Sequence, residues 1–89
     1  MRAVVTVVGK DKPGIVAKIS AALFENGANI IDIQQNVLKD MFAMIVLVDI
    51  SGCKAGCQGL AKALDKAGEE LQMKVHTMHE DIFNAMHRI

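Results

Sequence analysis

At 89 residues the chain has room for one domain and one modest core, burying about 60–65% of the surface that its unfolded form exposes. Its 52% apolar content argues for a folded globule, and ten basic residues against ten acidic ones leave no net charge to draw a nucleic-acid backbone or an acidic membrane. With no apolar run near a membrane span in length and no secretion-signal pattern at Met1–Arg2–Ala3–Val4, a cytoplasmic protein without membrane contact is expected.

Arg2–Gly9 is a β-branched run bounded by glycine and reads as a buried strand. Lys10–Asp11–Lys12–Pro13–Gly14 combines turn chemistry with a helix start. Asp11 or Lys12 precedes the first turn, and Pro13 suits the first helical position because its missing N–H has no partner there. Ile15, Val16, Ile19, Ala22 and Leu23 then recur at helical spacing as one apolar stripe, and Asn26–Gly27 closes the helix with Gly27 left-handed.

Ala28–Leu38 alternates in part, with Ile31, Ile33 and Val37 on one side and Asp32, Gln34 and Asn36 on the other, as a half-exposed edge strand would. A short turn at Lys39–Asp40 joins it to Met41–Ile50, apolar on both faces as far as Asp49, and the two segments read as an antiparallel hairpin. Ser51–Gly59 reads as a glycine-bearing loop (Gly52, Gly56, Gly59) before a second helix with Leu60, Leu64, Ala67 and Leu71 on one face and Gly68 loosening its end. Met73–Met78 forms a fourth strand. A tail from about 80 to 89 forms a short helix with Ile82, Phe83, Met86 and Ile89 on one stripe and Glu80 and Asp81 at its positive end.

The order β-α-β-β-α-β defines an α+β, ferredoxin-like sandwich: a four-stranded antiparallel sheet, two helices on one face, and a short C-terminal helix. The whole chain, 1–89, reads as one such unit. The first and third strands are central in that topology, and they are the two that read as apolar on both faces. The face without helices would then carry an apolar patch of several hundred Å², larger than a monomer usually leaves bare. The C-terminal helix or a second subunit must cover it, and self-association is expected.

Ferredoxin-like domains serve unrelated functions, so the site has to decide among them. RNA recognition needs aromatics on the central strands, but the first has none, the third has only Phe42, and the chain has no Tyr or Trp. A soft-metal chaperone of this fold needs sulfur ligands in the first loop, which here is Lys10–Gly14. Cys53 and Cys57 lie elsewhere, at a spacing one residue longer than Cys-x-x-Cys; if both sit near a helix start they are one turn apart, a poor disulfide geometry. They read as ordinary thiols of a reducing cytosol, with a redox switch as the minor alternative. His76 and His79 fall on opposite faces of a strand, and His87 reads as a tail histidine, so no metal site is expected. Lys10 and Lys12 can attract an anion but lack the guanidinium fork of a phosphatase-like loop. No nucleophile–base constellation is evident, so neither catalysis nor a cofactor is expected.

Val7–Val16, with its charged loop and Pro13–Gly14, followed by Leu23–Asp32, with Gly27–Ala28–Asn29–Ile30 entering the second strand, resembles the ACT domain family. The resemblance runs through the whole chain. It is similar to small bacterial and archaeal single-ACT proteins of unassigned function, and to the ACT modules of the glycine cleavage system repressor and of formyltetrahydrofolate deformylase. It implies a homodimer with paired sheets that binds an amino acid or similar metabolite and passes the signal to a regulated protein. It also nominates Asp11, Pro13, Gly14 and Ile15 of one subunit, facing Asn29 and Ile30 of its neighbour, as ligand-binding residues. Gly14 lets a ligand approach the backbone, free helix-start N–H groups suit a carboxylate, and the Asn29 amide both donates and accepts. The alternative is a dimerisation or partner-docking module whose ligand site is vestigial.

Overall fold

The computed structural model describes residues 1–86, Met86 by its backbone alone; Ile89 and His87 lie outside the described residues. The order is β1 (Arg2–Lys10), α1 (Ile15–Glu25), β2 (Asn29–Leu38), β3 (Met41–Asp49), α2 (Gly56–Leu71), β4 (Lys74–His79) and α3 (Glu80–Met86). The strands form one antiparallel sheet in the order β2-β3-β1-β4. The two strands with apolar residues on both faces are therefore the central ones, as the sequence pattern requires.

β3 shows the two faces most directly. Phe42, Met44, Val46 and Val48 are buried beneath α1 and α2, whereas Met41, Ala43 and Ile45 between them are exposed. Ala3, Val5 and Val7 of β1 join the buried set, with Ile15, Ile19 and Leu23 of α1 and Leu60, Leu64 and Ala67 of α2. Truncating one of the larger members, such as Leu64, costs about 2–5 kcal/mol.

α3 folds back over the open face only in part. Phe83 stands over Val4, Ile45 and Leu47, and Val4 is 4% exposed, yet Ile45 remains 45% exposed. The Arg2 guanidinium grips the Glu80 carboxylate, Nη2 to Oε1 at 2.7 Å, and holds the start of α3 against β1. That carboxylate also keeps the guanidinium proton more firmly bound than usual.

Several sequence expectations need correction. Pro13 is not the first helical residue and neither Asp11 nor Lys12 caps the helix; α1 begins at Ile15 behind Gly14, whose φ of 85° is left-handed and interrupts helical geometry there. Ile31 does not continue a regular alternation into Ile33 and Val37: the β2–β3 register shifts between Ile30 and Asp32, leaving Ile31 without a partner on β3 and Ile30 opposite Val48. The loop before α2 ends at Ala55, and Cys57 and Gly59 lie inside the helix. Gly68 does not loosen α2. It is buried where a Cβ would stand 2.6 Å from Val75 Cγ2, so it permits close packing on β4. The fourth strand starts one residue later than expected, at Lys74. On α3, Ile82 points outward at 55% exposure instead of joining Phe83 against the sheet. Among the described residues no helix is long and apolar enough to cross a membrane.

Candidate functional site

The loop between β1 and α1 is fixed by two contacts, and both leave its tip open. The Asp11 backbone N–H donates to the Asp40 carbonyl at 2.7 Å, tying the loop to the β2–β3 turn. The Lys12 ammonium donates to the Leu71 carbonyl at the C-terminus of α2, where the helix dipole favours a cation. Lys12 is therefore committed to the fold, and Lys10 is the exposed cation of the loop. Pro13 and Gly14 are exposed, and a Cβ on Gly14 would meet nothing within 4 Å.

The first intrahelical bond of α1 runs from the Lys18 N–H to the Gly14 carbonyl at 3.0 Å. The N–H groups before it have no acceptor within the helix, and the first turn has neither an acidic residue nor a side-chain cap. This end can hold a carboxylate. Ile15 contributes only its backbone to such a site, because its side chain is 2% exposed and lies in the core.

The entrance to β2 is built differently. α1 ends in a Schellman motif, with the Gly27 N–H donating to Phe24 at 3.1 Å and the Ala28 N–H to Leu23 at 3.0 Å. The Asn26 side-chain amide adds a bond to the Ala22 carbonyl at 2.7 Å. Gly27, at φ 80°, lies so close to the loop after β3 that a Cβ would stand 2.4 Å from the Gly52 carbonyl oxygen, and one on Gly52 would stand 2.9 Å from that of Gly27. Asn29 then enters the sheet opposite Asp49, exposed, and Ile30 lies opposite Val48. The Ser51 N–H, 2.9 Å from the Asp49 carboxylate, holds that carboxyl below the usual range.

Within one chain the two halves do not meet. Lys10 and Leu38 are both level with Met41, while Asn29 and Arg2 are both level with Asp49. Eight residue steps along β3 separate these levels, roughly 26 Å at about 3.3 Å per residue. The sequence did not disclose Asp40 as the anchor of the first loop or Gly52 as the anchor of the second half. Both act through backbone atoms, and a glycine in a glycine-bearing loop is the only signal that either leaves.

Beside Gly52, Cys53 and Cys57 are free, half-buried thiols packed against the core. Burial pushes the Cys53 thiol up, with Cys57 and Asp49 adding to the effect.

The family model described as the ACT domain matches residues 2–78. A UPF0237 protein of Methanocaldococcus jannaschii is 57% identical over 88 residues, which make up 99% of this chain and 98% of that protein. The solved ACT domain protein from Streptococcus pneumoniae is 41% identical, with 98% of each chain covered and a TM-score of 0.81. Two further structures share the fold at lower identity. A candidate glycine cleavage system transcriptional repressor is 24% identical over 85% of this chain and 43% of that one, with a TM-score of 0.75. The formyltetrahydrofolate deformylase from Pseudomonas syringae is 22% identical over 88% and 27%, with a TM-score of 0.79. Element order, strand order, loop pattern and full-length similarity agree: the chain belongs to the ACT domain family.

Proposed function

We propose that this chain is a homodimeric regulatory domain that binds an amino acid or similar metabolite, catalyses nothing, and signals to a partner protein in the cytoplasm. The observation that carries this reading is the separation of the two site halves along β2. β2 is an edge strand with an exposed backbone rim. Pairing β2 antiparallel with β2 of a second copy would set the Leu38 end of one level with the Asn29 end of the other. That pairing would bring Asp11, Pro13, Gly14 and the Ile15 backbone of one copy toward Asn29 and Ile30 of its partner. A carboxylate would then sit at the start of α1, and the Asn29 amide would meet the ligand's remaining polar group.

Thermal unfolding in the presence of each amino acid tests the proposal. A ligand at a hundred times its Kd adds about 2.7 kcal/mol, which in a chain of this size raises Tm by roughly 10 °C or more. No rise with any of them at millimolar concentration counts against amino-acid sensing. The exposed Ile45, Met41 and Val8 on the open face favour a second reading, a docking module with a vestigial site. Under it, Gly14→Leu and Asn29→Ala leave regulation intact while Ile45→Lys abolishes it; the opposite pattern, with the dimer retained on size-exclusion chromatography, rejects it.

A further inference from the structure

The segment after β3 carries chemistry that ligand binding does not use. Cys57 is fixed in the first turn of α2, whereas Cys53 lies outside the helix, in the loop. A turn closed by the Gly56 N–H on the Cys53 carbonyl, at 3.1 Å, folds the loop back toward the helix start. Within a helix, side chains four residues apart have Cβ atoms about 5–6 Å apart, and a disulfide needs about 3.8 Å, so a pair at this spacing can close only where one cysteine lies outside the helix, as Cys53 does. Closure then imposes the disulfide's geometry on the loop residue. Cys57 is part of the helix, whereas Cys53 is held only by turn hydrogen bonds, its N–H on the Ile50 carbonyl at 3.0 Å and its carbonyl under the Gly56 N–H, so closure acts on the turn that carries Gly52 and Cys53.

Gly52 is the residue against which Gly27 is packed, and the Cys53 nitrogen lies 3.6 Å from the Cβ position of Gly27. Two residues beyond Gly27 is Asn29. We infer that Cys53 and Cys57 close reversibly into an intramolecular disulfide, and that closure draws the Gly52 loop off Gly27 and resets Asn29 and Ile30. The regulatory consequence rests on the ligand reading proposed above; the structural coupling does not. In the reaction, one thiolate attacks a low-molecular-weight disulfide and expels one of its thiols, forming a mixed disulfide. The second cysteine, as its thiolate, attacks the cysteine sulfur of that adduct and expels the other thiol. The protein loses two protons and two electrons, and the small disulfide is reduced to two thiols.

The test uses the full ¹⁵N-labelled chain, with glutathione disulfide as oxidant and no ligand, so failure of amino-acid sensing leaves its result readable. The expected product is lighter by two hydrogens, with the amide signals of Gly27–Ile30 displaced. Hydrogen exchange at Ala28, whose N–H is bonded to Leu23, should be about tenfold faster, and all changes should reverse on reduction. Cys57→Ser should show neither the mass loss nor the coupled shifts. Formation of glutathione adducts alone overturns the inference. So does a disulfide whose effects stay within residues 55–59, because α2 would then have frayed in place of the loop moving.

Discussion

Gly14 and Gly27 have nearly the same backbone conformation, φ 85° and 80°, and stand at the two ends of α1. Their surroundings are opposite. A Cβ on Gly14 would enter open space, whereas one on Gly27 would stand 2.4 Å from a backbone oxygen of another loop. The first glycine keeps a surface clear; the second lets two backbone segments touch. The two halves of the candidate site thus differ in kind: an accessible helix start on one side, and on the other a strand entrance whose position is set from behind by Gly52.

Substitution at these positions separates the two roles. Gly27→Ala adds left-handed strain of about 1–2 kcal/mol to an overpacking cost of about 1–3 kcal/mol. Thermal unfolding should show a Tm lowered by roughly 10 °C or more. Gly52→Ala isolates the contact, because no left-handed strain enters there, and should lose about 1–3 kcal/mol in denaturant titration. An unchanged Tm for Gly52→Ala would mean that the loops separate freely and that the anchoring role is wrong. Gly14→Ala should lose only the strain, about 1–2 kcal/mol, with no packing penalty.

The contrast between these glycines also marks how far the sequence can be read. The central placement of β1 and β3 was legible because both parities of those strands are apolar, and the end of α1 because Asn-Gly has one favoured role there. Gly14, Asn29 and their neighbours were nominated by family resemblance and local chemistry, not by any pattern that fixes their separation. The contact of Gly27 with Gly52 joins residues twenty-five positions apart and leaves no periodic trace. The bulge at Ile31 leaves no mark in the sequence because Ile30, Ile31 and Ile33 allow two registers, and only pairing with β3 selects one. The role of Gly68 is hidden in the sequence because a glycine near a helix end and a glycine beneath a strand look alike until the strand is in place.

α2 provides a smaller test of the same distinction. It also ends in a Schellman motif, with Met73 bonded to Gly68 at 2.8 Å and Gln72 to Glu69 at 3.1 Å, but Gln72 occupies the left-handed position at φ 58°. Gln72 is exposed, so strain is the only thing a replacement there relieves. Gln72→Gly should raise stability by about 0.5–1 kcal/mol, measured by denaturant unfolding. A loss of stability would show that the Gln72 side chain makes a contribution that outweighs its strain.

The weakest link in the comparison is the brace between the helices. α1 is the rod between Gly14 and Gly27, and Lys18, one turn from its start, pairs with Glu70 near the end of α2. The lysine, through a hydrogen bond and its charge, holds the Glu70 carboxyl below its ordinary value of 4.5. A carboxyl lowered on folding stabilises the native state fully above its unfolded value, and that contribution fades as the pH falls through the lowered folded value. Glu70→Gln should therefore reduce Tm slightly near neutrality, and the gap from the parent should close as the pH falls below the ordinary carboxyl value of 4.5 and through the lowered folded value. Both side chains are half exposed, so the effect should be the smallest of those considered and should shrink in high salt. A gap that persists once the Glu70 carboxyl is protonated in the folded state would mean that Glu70 contributes by packing, and that α1 is held between its two glycines by the core alone.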